Sequence, residues 1–291
     1  MSSSSAGGKQ SSEMHIEALD GVTTVMHDFG GEGPALLFAH ATGLHGWVWK
    51  PIVDHLVHRA HCVALDLRGH GDSRLGPGAD LSWDGFALDA LAAGRALGQR
   101  QVIGIGHSLG GAALLRAELM SPGTFQHLFL YEPAVHPEMP VARRNSRMAA
   151  GDKMARIAVR RRDIFASMGD ALVHYANKPP MAQFQAAVLG AYVRHGFSES
   201  AGGGVELKCA RETEAAIYAG YDHDAVSRLG AIACPVTLAT GSETDEFQRH
   251  NIEAFSSQIS TAPVVLCGAD NFGPMQQPKQ FARAVARHVL D

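Results

Sequence analysis

The sequence has little that would tie it to nucleic acid, to a membrane or to a metal. Acidic and basic residues nearly cancel, 29 against 25, for a net charge of −4. There is no basic excess to draw a polyanion, so no nucleic-acid partner is expected. No stretch approaches the roughly 18 uninterrupted apolar residues of a membrane-spanning helix, so no membrane partner is expected either. Cysteine is scarce, four in 291 residues, and Cys62, Cys209, Cys234 and Cys267 form no C-x-x-C pair. That spacing offers neither a zinc knuckle nor a redox dithiol. Cys62 and Cys267 fall in apolar runs, where a buried free thiol is the ordinary occupant, and a reducing cytoplasmic setting fits all four. No metal or cofactor is expected. The first dozen residues are rich in Ser and Gly and lack the apolar centre of a signal peptide. Residues 1–14 therefore read as a disordered tail.

What is present is a large apolar fraction, 46% of the chain, enough for one large core. Continuous apolar runs at 23–26, 35–39, 61–67, 101–105, 127–131, 236–240 and 264–267 read as strands buried on both faces of a mostly parallel sheet. Helical periodicity fills the gaps, at 48–57, 83–97, 109–120, 246–259 and 278–290. Strand–helix alternation predicts a doubly wound α/β core. The alternation breaks in between, so 15–135 and 230–291 are assigned to the core and 136–229 to a helical cap, or lid. Residues 136–230 hold 13 of the Lys and Arg against 10 Asp and Glu, so the cap is about +3 and the remainder about −7.

The most informative run is Gly106-His107-Ser108-Leu109-Gly110. It lies between a strand-like and a helix-like stretch, the setting in which G-x-S-x-G forms a nucleophile elbow. Glycines on both sides allow a turn tight enough to lift the serine hydroxyl out of the sheet. The following helix aims its unpaired N–H groups at the same point. Gly104-Ile105-Gly106 also opens like a dinucleotide loop, but its third glycine, Gly110, comes one place late. Serine acyl transfer also needs oxyanion donors. Leu109 N–H is one candidate. The loop His40-Ala41-Thr42-Gly43, after an early strand, supplies Thr42 N–H as the second.

With these motifs the chain resembles the α/β-hydrolase superfamily over about residues 22–291. The resemblance rests on His40 to Gly43, on Asp66-Leu67-Arg68-Gly69-His70-Gly71-Asp72-Ser73, on Gly106 to Gly110, and on the segment Gly268 to Pro278. It implies an α/β-hydrolase fold: a mostly parallel central sheet flanked by helices, with an inserted helical lid. The Asp66 to Ser73 run is implied to be a structural turn. Ala41 departs from the family's usual glycine. Within the superfamily the chain looks closest to cofactor-free esterases, lactonases and carbon–carbon-bond hydrolases with a cap.

The family order is serine, acid, histidine. The acid is expected after the 236–240 strand, where Asp245 fits best and Glu243 second. Glu132, after the preceding strand, is a further alternative, because some members carry the acid there. The family's base belongs to a G-x-x-H segment before the last helix. This chain reads Gly268-Ala269-Asp270-Asn271, so Asn271 occupies the base position. An amide cannot accept a proton near neutral pH. Of the other histidines, His107, His40, His45 and His223 come into question as substitutes, and none has a position that marks it as a base.

In the cap, Met148, Met154, Phe165, Met168, Tyr175, Phe184, Tyr192 and Phe197 are pocket candidates, although helices must bury one apolar face in any case. Trp47 and Trp49 follow the oxyanion loop and could wall the site. Arg160-Arg161-Arg162 reads as a solvated face or as an attractor for anions. The expectation is a serine hydrolase for an ester, lactone or similar small apolar acyl substrate, here lacking its general base. The alternative is an inactive relative that binds a small molecule under its lid. Self-association into a homo-oligomer is left open.

Overall fold

A computed structural model describes residues 12–291 except 19, 77, 99–101, 136–140 and 221–225. The chain first lays down Ser12–Glu17 (β1), Thr23–Asp28 (β2), Ala35–Ala39 (β3), His61–Asp66 (β4), Val102–His107 (β5) and His127–Tyr131 (β6). Short strands Ile164–Phe165 (β7), Phe197–Glu199 (β8) and Val205–Leu207 (β9) follow within the insertion. Val236–Gly241 (β10) and Val264–Leu266 (β11) then complete the core. The core helices are Lys50–Val53 (α1), Trp83–Ala96 (α2) and Leu109–Met120 (α3). The insertion adds Val141–Val159 (α4), Met168–Ala176 (α5), Ala186–Gly196 (α6) and Arg211–Ala219 (α7). Glu246–Ile259 (α8), Gly273–Gln276 (α9) and Pro278–Val289 (α10) close the chain.

The main sheet runs β1-β2-β4-β3-β5-β6-β10-β11. β1–β2 and β2–β4 are antiparallel, and the remaining pairs are parallel. Successive strand residues point to opposite faces. Leu36 and Phe38 of β3 therefore join the cluster of Trp49, Phe129 and Phe281. Leu37 and Ala39 join the cluster of Phe86, Leu114 and Phe255 on the other face. Both faces are covered, which is why these strands read as unbroken apolar runs.

Register then sets the site. Ala39 pairs with Gly106, His107 with Tyr131, and Tyr131 with Ala239. The residues just beyond these strand ends, His40, Ser108, Glu132 and the turn after Gly241, therefore emerge side by side at the sheet's C-terminal edge. That edge is where parallel α/β sheets place their ligands.

Three local expectations change. β1 starts at Ser12 and pairs with β2 along its length, so residues 12–14, expected in the tail, belong to an edge strand. Residues 1–11 lie outside the described residues. The helix expected at 48–57 is a 3-10 turn, Gly46–Trp49, running into the four-residue α1. Its entry is pinned: Gly46 N–H donates to Asp66 at 2.6 Å, and a Cβ on Gly46 would sit 2.9 Å from His27. The lid is not helical throughout, because β7, β9 and β8 form a small antiparallel sheet. Strands of two or three residues are too short to show a period of two. The expected start of the lid, 136–140, lies outside the described residues.

The Asp66 to Ser73 segment is a structural knot. Buried Asp66 accepts from Gly46 N–H, Asp72 N–H and His27 Nε2. Arg68, wholly buried, bonds Asp89 through Nε and Nη2 and reaches Asp20 through Nη1 at 2.6 Å. Removing one member of a buried ion pair leaves its partner's charge uncompensated. Asp89→Ala should therefore lower unfolding stability by about 3–5 kcal/mol, read by urea denaturation. A loss below about 1 kcal/mol would mean that Asp20 and solvent suffice for Arg68.

Candidate active site

Ser108 sits between β5 and α3 with φ 49° and ψ −114°, a conformation costing about 1–3 kcal/mol for a residue with a side chain. The surroundings hold it there. Ser108 N–H donates to Tyr131 O at 3.1 Å, and Ser108 O accepts from Ala112 and Ala134 N–H, each at 3.0 Å. The flanking glycines are required by close approach. A Cβ on Gly106 would lie 2.5 Å from Gly111 Cα, and one on Gly110 would lie 2.2 Å from Ala39 O. Gly110 N–H also donates to His40 O at 3.0 Å, so the His40–Gly43 loop lies directly against the elbow. Thr42 of that loop and Ser108 line the same cleft, about 330 Å³, together with Asn271.

Asn271 does not meet the expected acid. Its Nδ2 donates to Glu132 Oε2 at 3.2 Å. Glu132 is completely buried, in a left-handed conformation (φ 39°) directly after β6. It also accepts from Thr240 Oγ1 at 2.8 Å, Gly241 N–H at 3.0 Å and Thr244 Oγ1 at 2.9 Å. Four donors thus converge on one buried carboxylate. Asp245 lines the cleft, but its exposed carboxylate caps α8, accepting from Gln248 N–H at 2.8 Å. Exposed Glu243 accepts only a 3.3 Å bond from its neighbour Ser242. The geometry thus puts Glu132, the alternative, where Asp245 was expected. The physical reason is register: β6 ends beside β5, while Asp245 lies one turn further out, at the mouth.

The remaining histidines are accounted for by packing. His107 Nε2–H donates to Asn271 O at 2.8 Å, and burial pushes its pKa down to about 4. It holds the loop that carries Asn271. His40 Nδ1–H donates to Ala41 O while its Nε2 accepts from Leu67 N–H. His70 mirrors it, donating to Arg68 O and accepting from Gly43 N–H at 3.0 Å. Burial keeps both neutral. His45 donates from Nε2 to Tyr192 O in the lid. His223 lies outside the described residues. Tyr131 OH donates to Asp270 O at 2.5 Å, a second anchor on the Asn271 loop that sequence reasoning missed.

Of the eight apolar lid candidates, Met148 and Met154 line the cleft, with Trp83, Phe247 and Phe272 from the core. Phe165, Tyr175, Phe184, Tyr192 and Phe197 are lid core, and Met168 packs against them. Trp49 is fully buried, and Trp47 stacks on His195 at 3.8 Å. Neither walls the cleft. Among the described residues His27, Asp66 and Asp72 come close enough together to hold a metal. Asp66 is already saturated by its three donors, and Asp72 is paired with Lys208 at 2.6 Å.

Comparison with known proteins bears on the family and the fold. The model of the alpha/beta hydrolase family matches residues 36–284. N-formylmaleamate deformylase of Pseudomonas putida is 33% identical over 107 residues, 37% of this chain and 40% of that protein. Mouse protein phosphatase methylesterase 1 is 39% identical over 88 residues, 28% of this chain and 23% of that protein. The matched stretch thus spans well under half the length of these curated relatives. The crystal structure of E-2-(acetamidomethylene)succinate hydrolase superposes with a TM-score of 0.80 at 20% identity, covering 97% of this chain and all of that one. At that identity the likeness concerns the fold.

Two outcomes follow from the site. Glu132→Ala should cost about 2–5 kcal/mol, because it opens a cavity and strands four buried donors. Asp245→Ala should cost only the cap, about 1 kcal/mol. Equal losses in denaturation would mean that Glu132 is not the hub. The second outcome concerns pH. His40, His45, His70 and His107 are all held below their ordinary range by burial. Between their folded values and about 6.5 the unfolded chain binds more protons, so these four stabilise above pH 6.5 and destabilise as pH falls. His27, raised by Asp66, acts in the opposite sense. Burial lowers His127, His174 and His195 as well, so with seven described histidines against one the melting temperature should drop between pH 7 and pH 5, and His107→Gln should flatten the slope. A melting temperature that rises towards pH 5 would refute this.

Proposed function

The chain belongs to the alpha/beta hydrolase family, and we propose that it is built as a serine hydrolase for a small apolar ester, lactone or similar acyl substrate, lacking its general base. The observation that carries this is the strained Ser108 beside a loop whose Asn271 still donates to a buried carboxylate. In the proposed chemistry Ser108 Oγ attacks the acyl carbon. The developing oxyanion would be met by the N–H groups of Leu109 and Thr42, the latter from the loop seated on Gly110. Relatives that are named as esterases and as a deformylase support acyl-transfer chemistry of this kind.

Asn271 defines what is missing. In a triad the histidine's Nδ1–H donates to the acid and its Nε2 takes the serine proton. Asn271 Nδ2 reproduces the first of these bonds, to Glu132. It has no basic nitrogen for the second. The serine proton therefore has no acceptor, and water attacking an acyl-enzyme would have none either. Glu132 is the proposed orienting acid, in place of Asp245.

The cleft also limits the substrate. Its described lining includes Asp152 and Asp245 and no Lys, Arg or His. Arg161, which could have drawn an anion, is spent inside the lid on Glu214, Tyr175 and Tyr192. N-formylmaleamate and the acetamidomethylene succinate of the relatives are carboxylates, and this lining does not suit them. An uncharged acyl group does.

Asn271→His should switch on hydrolysis of a p-nitrophenyl ester by at least 10³-fold, since losing such a histidine costs on the order of 10⁶ in turnover. Ser108→Ala in that background should abolish the gain. An acetyl or butyryl ester should be preferred over a succinyl one, and Asp152→Asn should narrow the gap. The satisfied Asn271–Glu132 bond also favours a second reading, a pocket that binds without catalysis. A folded but inactive Asn271→His variant, with saturable small-molecule binding by the unmodified chain that is indifferent to Ser108→Ala, would decide for it.

A further inference from the structure

The lid carries a buried polar cluster that the proposed chemistry does not use. Arg161, in the turn after α4, donates from Nη1 to Glu214 Oε2 at 2.6 Å and from Nε to Tyr175 OH at 3.1 Å. Its Nη2 donates to Tyr192 OH. Its guanidinium lies over both tyrosine rings, 5.2 and 5.9 Å from their centroids. Glu214 is nearly buried and Tyr192 wholly so. Taking this much charge out of water costs several kcal/mol per ion, and a well-packed apolar set would hold lid helices together as well. The cluster is therefore poorly explained by lid stability alone.

Its position suggests a second purpose. Glu214 and Arg161 together rest on the oxyanion loop. A Cβ on Gly43 would lie 2.8 Å from Glu214 Oε1 and 3.3 Å from Arg161 Nη1. Gly43 adopts φ 75°, so it is glycine both for its backbone and for this contact. One residue earlier is Thr42. Two further lid contacts meet the same loop: His45 donates to Tyr192 O at 3.0 Å, and a Cβ on Gly196 would sit 3.0 Å from His45 Nε2. From the core side, Gly43 N–H is held by His70 Nε2. Residues 43–45 are clamped between the knot below and the lid above.

We propose that Arg161 and Glu214 are positioning residues for the oxyanion loop, so that the seating of the lid sets the direction of the Thr42 amide. The proposal rests on Thr42 being an oxyanion donor, as argued above. The lid meets the cleft through α4, with Met148 and Met154, and through α7, with Ile217, Tyr218 and Ala219. A substrate that shifts α7 would act on the nucleophile's surroundings without touching Ser108.

The test has two independent arms. In the unmodified chain, amide resonances and hydrogen exchange of Thr42 and Gly43 are followed in Arg161→Met and in Glu214→Gln. The expected result is a shift of both resonances and at least 10-fold faster exchange at Gly43, with amides of β5 and β6 unchanged. Should Arg161→Met fail to fold, Arg161→Met with Glu214→Met removes both charges together and carries the same readout. In the Asn271→His background, the pair's loss should lower kcat 10- to 100-fold with KM within about two-fold. That range lies below the 10²–10³ lost when a donor is removed outright. Arg161→Lys should recover part of it. Unchanged Thr42 and Gly43 amides, with a lower melting temperature only, would overturn the proposal. If Asn271→His proves inactive, the function proposed above fails, and the amide arm still decides this one.

Discussion

The Glu132 carboxylate is the interaction on which the candidate site depends. It is wholly buried, so its hydrogen-bond donors must come from the chain itself. Those donors come from three places: the end of β10, the turn that follows it, and the loop before α9. One side chain thus ties together segments more than a hundred residues apart. Its left-handed backbone aims it inward, and its own N–H is held by Ala239 O at 2.9 Å. The loop it pulls in is then gripped from behind by His107 and Tyr131. Asn271 is thereby held from both sides, by Glu132 through its side chain and by His107 through its carbonyl.

The same economy governs the core loops around the elbow. Neutral histidines serve as two-ended staples, donating from Nδ1 to one carbonyl and accepting at Nε2 from an amide elsewhere. His40 joins its loop to the end of β4, and His70 joins the Asp66 knot to Gly43. Each satisfies two backbone groups that tight loops would otherwise leave unpaired. Lysine or arginine could donate to those carbonyls but could not accept from the amides. Charge is used where a side chain must be neutralised at close quarters, as in Arg68 with Asp89 and Arg161 with Glu214. In each pair the arginine stands on a loop and the acid on a helix, α2 for Asp89 and α7 for Glu214.

What could be read from the sequence was local. The elbow was legible because its glycines, its strand and its helix are contiguous, and the parallel strands were legible because both of their faces are apolar. The acid was not. Choosing between Glu132 and Asp245 requires knowing which strand end lies beside Asn271, a matter of cross-strand register. One local signal did bear on it: Asp245 followed three residues later by Gln248 is the signature of a helix cap, and the structure shows that cap. β1 was hidden for a different reason. As an edge strand it alternates in burial and lacks the apolar run that betrays buried strands. The short lid strands carry no period at all. Arg161 looked like one of three solvated arginines, because nothing in Arg160-Arg161-Arg162 tells which of them turns inward.

Strain is the last consideration, and it bears on which of the two readings the molecule favours. Ser108 and Glu132 both hold left-handed backbones with side chains, each costing about 1–3 kcal/mol. Against a typical stability of 5–15 kcal/mol this is a sizeable fraction. A pocket that only binds draws no benefit from lifting a serine out of the sheet, since an unstrained hydroxyl would hydrogen-bond a ligand as well. A nucleophile does benefit, because attack needs its oxygen clear of the backbone and beside two N–H donors. The glycines at 106 and 110 are likewise demanded by the elbow's close approaches and not by the cleft's shape. Strain, glycines and buried carboxylate together therefore favour the proposed acyl-transfer reading over one of binding alone.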